Sequence, residues 1–64
     1  MLDLVDRLSK ELGVFARHCS GAGCYAYSLT NNGWNVSILM VPYSSNKDIF
    51  ESEFRKAAGR LPNA

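Results

Sequence analysis

Cys24-Tyr25-Ala26-Tyr27-Ser28-Leu29-Thr30, then Asn31-Asn32-Gly33, then Trp34-Asn35-Val36-Ser37-Ile38-Leu39-Met40-Val41: the reading of this stretch decides the fold. The first run alternates large and small side chains, and the last alternates apolar and polar ones as far as Ile38. Both have the two-residue period of a strand. An Asn-Gly pair between two such runs is the strongest short signal for a two-residue type I′ turn, because both central positions need positive φ. With Asn32 and Gly33 there, Asn31 faces Trp34, Leu29 faces Val36, Tyr27 faces Ile38 and Tyr25 faces Met40. Tyr25, Tyr27, Leu29, Val36, Ile38 and Met40 then share one face with Trp34 at its end, and a one-residue slip is expected to scatter them. The other face carries Cys24, Ala26, Ser28, Thr30, Asn35, Ser37, Leu39 and Val41, small residues with an apolar end. Pro42 has no N–H to give and ends the second strand.

Upstream, Leu4, Val5, Leu8, Leu12, Phe15, Ala16 and Cys19 fall within a sector about 120° wide on a helical wheel. The stripe favours one amphipathic helix of four turns, capped by Asp3, supported by Asp3/Arg7 and Asp6/Lys10 pairs and ended by Ser20-Gly21-Ala22-Gly23. Gly21 would take the left-handed conformation at that end. Gly13 is discordant, costing ~1 kcal/mol in a helix interior. The alternative stops the helix at Leu12, caps it with Gly13 and makes a strand of residues 14–18, at the expense of Phe15, Ala16 and Cys19 in the stripe. Downstream, Ser45 is the candidate cap of a second helix, with Asp48 three residues on. Phe50, Phe54, Ala57 and Leu61 form its stripe, flanked by Ile49; Glu51/Arg55 is a surface pair, and Gly59 and Pro62 mark the end.

The expected architecture is therefore a single two-layer α+β domain over residues 1–64, in the order helix-strand-strand-helix, with both helices across the aromatic face of the hairpin. The alternative is three-stranded, α-β-β-β-α. Sixty-four residues, 47% of them apolar, suit one small globular domain and exclude a disordered chain. A net charge of +1 gives no overall electrostatic reason to bind nucleic acid and excludes an acidic mimic of it. Met1-Leu2-Asp3-Leu4-Val5-Asp6 lacks the basic start of a secretory signal, and the longest apolar run, Ile38-Leu39-Met40-Val41, is far too short to span a bilayer. A cytoplasmic location without membrane contact is the expectation.

The candidates for chemistry weaken on inspection. His18, Cys19 and Cys24 are three ligand types where structural zinc wants four, and His18 points away from Cys19 on the wheel. A Cys19–Cys24 disulfide is conceivable across the glycine loop but disfavoured in a reducing compartment. Cys19 near a helix C-terminus lacks both the electropositive surroundings and the base in reach that a catalytic cysteine needs. Ser20-Gly21-Ala22-Gly23 follows a helix, whereas phosphate cradles precede one. Tyr25, Tyr27 and Trp34 lack the interleaved Lys and Arg of a base-stacking platform and read as core. Asp3, Asp6, Glu11, Asp48, Glu51 and Glu53 all fall on solvated helix surface without a convergent pair. The expectation is no catalytic residue, no metal and no cofactor.

A two-stranded hairpin is marginal alone and leaves two edges unpaired. Association is expected, as a homodimer through the sheet edge or the small-residue face. The residues expected to bind a partner are Leu39 and Val41, Trp34, and the basic set Arg55, Lys56 and Arg60 near the end of the second helix. The function that follows is a non-enzymatic protein-protein interaction module, a homodimeric adaptor or an inhibitor that occludes a larger protein. Phage-encoded inhibitors of host machinery, anti-CRISPR proteins included, share its size and its lack of catalytic residues, an analogy of size alone. The alternative is a small nucleic-acid-binding domain, since α-β-β-β-α is the order of double-stranded-RNA-binding domains.

Overall fold

A computed structural model describes residues 2–19, 22–31, 33 and 35–62. The chain is α+β, in the order α1 (Leu2–Leu12), β1 (Phe15–Cys19), β2 (Cys24–Thr30), β3 (Val36–Pro42) and α2 (Lys47–Gly59). This is the three-stranded alternative, and the long first helix is corrected. Gly13 takes a φ of 68° and ends α1, and the Val14 N–H donates to the Ser9 carbonyl in the helix's last turn. A left-handed residue there needs no Cβ to be accommodated, so the helix stops where glycine stands. Phe15, Ala16 and Cys19 leave the helical stripe and pair in a strand, where each gains a ladder partner.

The three strands form one antiparallel sheet in the order β1-β2-β3. Phe15 faces Thr30 and Cys19 faces Ala26 across the first pair, and Tyr27 faces Leu39 and Leu29 faces Ser37 across the second. The β2–β3 register is one residue away from that of a two-residue turn, and the inward and outward faces of β3 are exchanged. Thr30 pairs with Val36, so five residues, 31–35, make the connection. Gly33 has the positive φ expected of it, 93°. Asn32, Trp34 and Gly21, on which the turn, one partner contact and a helix cap were expected, lie outside the described residues.

Pro42 offers a physical reason for the register. The Tyr43 N–H donates to the Gly23 carbonyl, which makes 23/43 a hydrogen-bonded pair and, by alternation, leaves Pro42 opposite Cys24 at a non-hydrogen-bonded position. The two-residue turn would place Pro42 opposite Gly23 in a pair that needs its missing N–H. The hydrophobic pattern offers no opposition, because Ile38-Leu39-Met40-Val41 is apolar on both alternations. The wider loop also frees Asn31, whose side-chain amide donates to the Pro62 carbonyl and ties the loop to the segment after α2.

Both helices lie on the inner face of the sheet, α2 over β3 and α1 over β1, and they touch each other. The core is Leu4, Val5 and Leu8 from α1, Tyr27 and Leu29 from β2, Leu39 and Val41 from β3, and Phe50, Phe54, Ala57 and Leu61 from the second helix and its end. The predicted α2 stripe is fully buried, but its cap is Asn46, whose side chain accepts from the Ile49 N–H, one residue later than Ser45. Two expectations fail together at β3. Val36, Ile38 and Met40 face water, whereas Leu39 and Val41, expected on an uncovered surface, are 3% and 1% exposed. The surface of 4284 Å² is close to the ~4,100 Å² of a folded monomer of this mass, so compactness requires no partner.

Gly13→Ala is expected to cost about 1–2 kcal/mol through its left-handed φ alone, since a Cβ there meets nothing within 4 Å. Gly59→Ala, at the last residue of α2 with equally open space and no positive φ, should gain about 0.5–1 kcal/mol. Urea unfolding of the two variants checks the pair, and a common sign would contradict the helix ends described here.

Candidate functional site

Antiparallel pairing puts directly opposed residues on one face, so the registers define the outer surface of the sheet row by row. The rows are Phe15–Thr30–Val36, Arg17–Ser28–Ile38 and Cys19–Ala26–Met40. Both helices lie on the other side, and no described element covers these rows. Phe15, Val36, Ile38 and Met40 are 63%, 58%, 53% and 62% exposed. These four side chains hold on the order of 400 Å² of accessible apolar area, within the range of the largest patch on a typical monomer and of the kind that is often functional.

The surface has relief. β3 contributes a ridge of Val36, Ile38 and Met40, and β1 contributes one of Phe15 and Arg17. Between them the central strand offers only Ala26, Ser28 and Thr30, with Ala26 buried as a floor. A hollow of about 310 Å³ lies there, lined by Phe15, Arg17, Ser28, Thr30, Gly33 and Val36. The Ser28 hydroxyl donates to the Arg17 carbonyl across the strands, which leaves the floor of the hollow partly satisfied internally.

Charge is segregated away from this face. Asp3, Asp6, Glu11, Asp48, Glu51 and Glu53, all the acids of the chain, lie on the helices. Of the seven basic residues only Arg17 belongs to the sheet. Of the basic residues expected to meet a partner, Arg55 and Lys56 have side-chain partners within the chain. Arg55 joins Glu11 of α1 at 2.6 Å and Glu51 at 3.0 Å, and Arg7 reaches Glu51 at 3.8 Å. These pairs match successive turns of α1 and α2 in the same order, so the helices run parallel and the ion pairs offset the repulsion of their side-by-side dipoles. Lys56 pairs with Glu53, and the backbone N–H groups of Arg60 and Leu61 donate to the Ala57 and Ala58 carbonyls at the end of α2. Asp6–Lys10 forms as expected at 3.2 Å.

The other candidate groups are dispersed. His18 and Cys19 are neighbours in a strand and point to opposite faces; His18 packs edge-on to Tyr27, and Cys19 faces the outer surface. Cys19 and Cys24 are free thiols. Among the described residues no group of His, Cys, Asp or Glu stands placed to hold a metal ion. Burial pushes the Tyr27 phenol above its ordinary range, and Phe50 meets its ring edge-on, which is the behaviour of a core tyrosine. A groove of about 370 Å³ between the first turns of the helices is lined by Asp3, Leu4, Arg7, Lys47, Asp48 and Glu51, charged groups of both signs. No described helix is long and apolar enough to cross a membrane. No family model, curated protein or solved structure matches the chain.

Sequence reasoning expected the uncovered face of the sheet to display Leu39 and Val41; it displays Val36, Ile38 and Met40 instead, with Phe15 beside them. The available signal was the apolar run at 38–41, which supplies an inward and an outward apolar pair whichever way β3 is turned.

The Arg55 guanidinium beside Glu11 holds that carboxyl below its ordinary value of 4.5, first by hydrogen bonding and then by charge. A carboxyl whose pKa is lower folded than unfolded contributes stability that is present above about pH 4.5 and lost as pH falls through the folded value. Glu11→Gln should therefore reduce stability modestly at neutral pH and lose less than the parent chain on acidification to about pH 3. Unfolding midpoints at the two pH values read the difference, and equal losses in both chains would remove the pair from the acid response.

Proposed function

We propose that this chain is a non-enzymatic protein-protein interaction module that works by laying the outer face of its sheet on another protein surface. The observation that carries the reading is the set of four exposed large apolar side chains, Phe15, Val36, Ile38 and Met40, on a face from which all but one charge has been withdrawn. Removing ~400 Å² of such surface from water is favourable by about 10 kcal/mol before association entropy is subtracted. An adaptor or an inhibitor that occludes a larger protein needs nothing more than such a surface on a rigid support. The placement of His18 and Cys19 on opposite faces of the sheet supports a role without chemistry. Size alone continues to suggest the company of phage-encoded inhibitors.

The α-β-β-β-α order favours one second reading, a double-stranded-RNA binder. Such binding rests on free basic groups. Here Arg7, Lys10, Arg55 and Lys56 are each paired with an acid of the same chain, which speaks against it. An affinity for duplex RNA that falls steeply between two salt concentrations would reverse the ranking.

Ile38→Lys with Met40→Lys should leave the fold intact, each within about 0.5 kcal/mol, as exposed substitutions usually do. The same pair should abolish retention of proteins that the parent chain retains on an affinity support. Leu39→Lys should instead unfold the domain, because a charge would be buried beside Tyr27 and Val41. Equal retention by parent and double variant would end the assignment of the outer face.

A further inference from the structure

We infer that the occupant of the outer sheet face is a second copy of this chain, stacked face to face about a twofold axis that runs along the strands between β2 and β3. The inference rests on the interaction-module reading above and adds its partner. The argument begins with relief. A copy turned about that axis lays its β3 ridge over the β2 trough of the first, and receives the first copy's ridge in its own trough. Row by row, Val36 lies over Thr30 of the other copy, Ile38 over Ser28 and Met40 over Ala26, large on small each time. The hollow between Phe15, Ser28, Thr30 and Val36 is the space the opposing ridge enters. One surface thus carries both the projection and the recess that an isologous contact needs.

Charge agrees. The one charged residue of the face, Arg17, sits on β1, which the one-strand offset leaves at the margin of the stack in solvent. The two arginines therefore fall on opposite margins, and no carboxylate is desolvated, because all of them belong to the helical layer. Area sets the strength. The exposed apolar area of this face, at most on the order of 400 Å² per copy, falls short of the ~800 Å² per partner of a standard stable interface. The pair is therefore reversible, and this agrees with a monomer that is already compact.

Sedimentation equilibrium of the full chain, with reductant, from about 10 µM to about 1 mM tests it. The expected result is an apparent mass that rises with concentration from 7.1 kDa toward twice that value. Ile38→Lys should hold the mass at the monomer throughout, and Asp6→Lys on the helical layer should leave the rise unchanged. In a mixture of isotope-labelled and unlabelled chains at the upper concentration, intermolecular NOEs are expected from the Met40 methyl to Ala26 and from the Val36 methyls to Thr30. A parent chain that stays monomeric at 1 mM overturns the self-partner. It leaves the interaction reading to the retention experiment, which does not depend on self-association. A dimer whose intermolecular NOEs join the backbones of two β3 strands also overturns it, in favour of edge pairing.

Discussion

The pairing of Tyr27 with Leu39 is the constraint on which the rest of the molecule depends. It turns Leu39 and Val41 toward Phe50 and Phe54, and those four side chains with Leu8 and Leu29 make up most of the buried volume. In a domain of 64 residues the margin left after ordering the chain is small, a few kcal/mol at best. Deleting one buried leucine costs a comparable amount. The same pairing decides the outside, since a strand that hides 39 and 41 must display 38 and 40. Core and exposed apolar face are two sides of one register.

Gly13 has an effect out of proportion to its size. By ending α1 early it releases a segment that becomes β1, and β1 converts a hairpin into a three-stranded sheet whose central strand is paired on both sides from Ala26 to Thr30. The shortened helix then lies beside α2 and parallel to it. That arrangement sets like dipole ends together, and the chain Arg7–Glu51–Arg55–Glu11 crosses the seam between them. Arg55, one of the residues that had seemed available for an external acid, thus holds the two helices together.

What could be read in advance divides along physical lines. The strand at 24–30, the stripe Phe50–Phe54–Ala57–Leu61 and the pairs Asp6/Lys10 and Glu51/Arg55 were legible because each rests on a local period that only one structure satisfies. The first helix was misjudged because Phe15, Ala16 and Cys19 continue a helical stripe that pairing with β2 outweighs, a long-range interaction invisible to a wheel. The β3 register was misjudged because an apolar run of four carries no phase. Turn chemistry at Asn-Gly then seemed decisive, although the position of Pro42 in the ladder argued the other way. Arg55 and Lys56 were placed correctly on α2, but the partner Arg55 finds in α1, Glu11, lies forty-four residues away in sequence. Of the outer face only the side of the sheet was legible, and the four residues that make it were not.

The separation of charge from apolar surface gives the body two unlike sides, a wet one of helices and an oily one of strands. Such a particle has a preferred posture at any boundary between water and a less polar phase. At an air–water film it will float with Phe15 and Met40 uppermost and α1 and α2 submerged, so thin films of it will present one view rather than a random set.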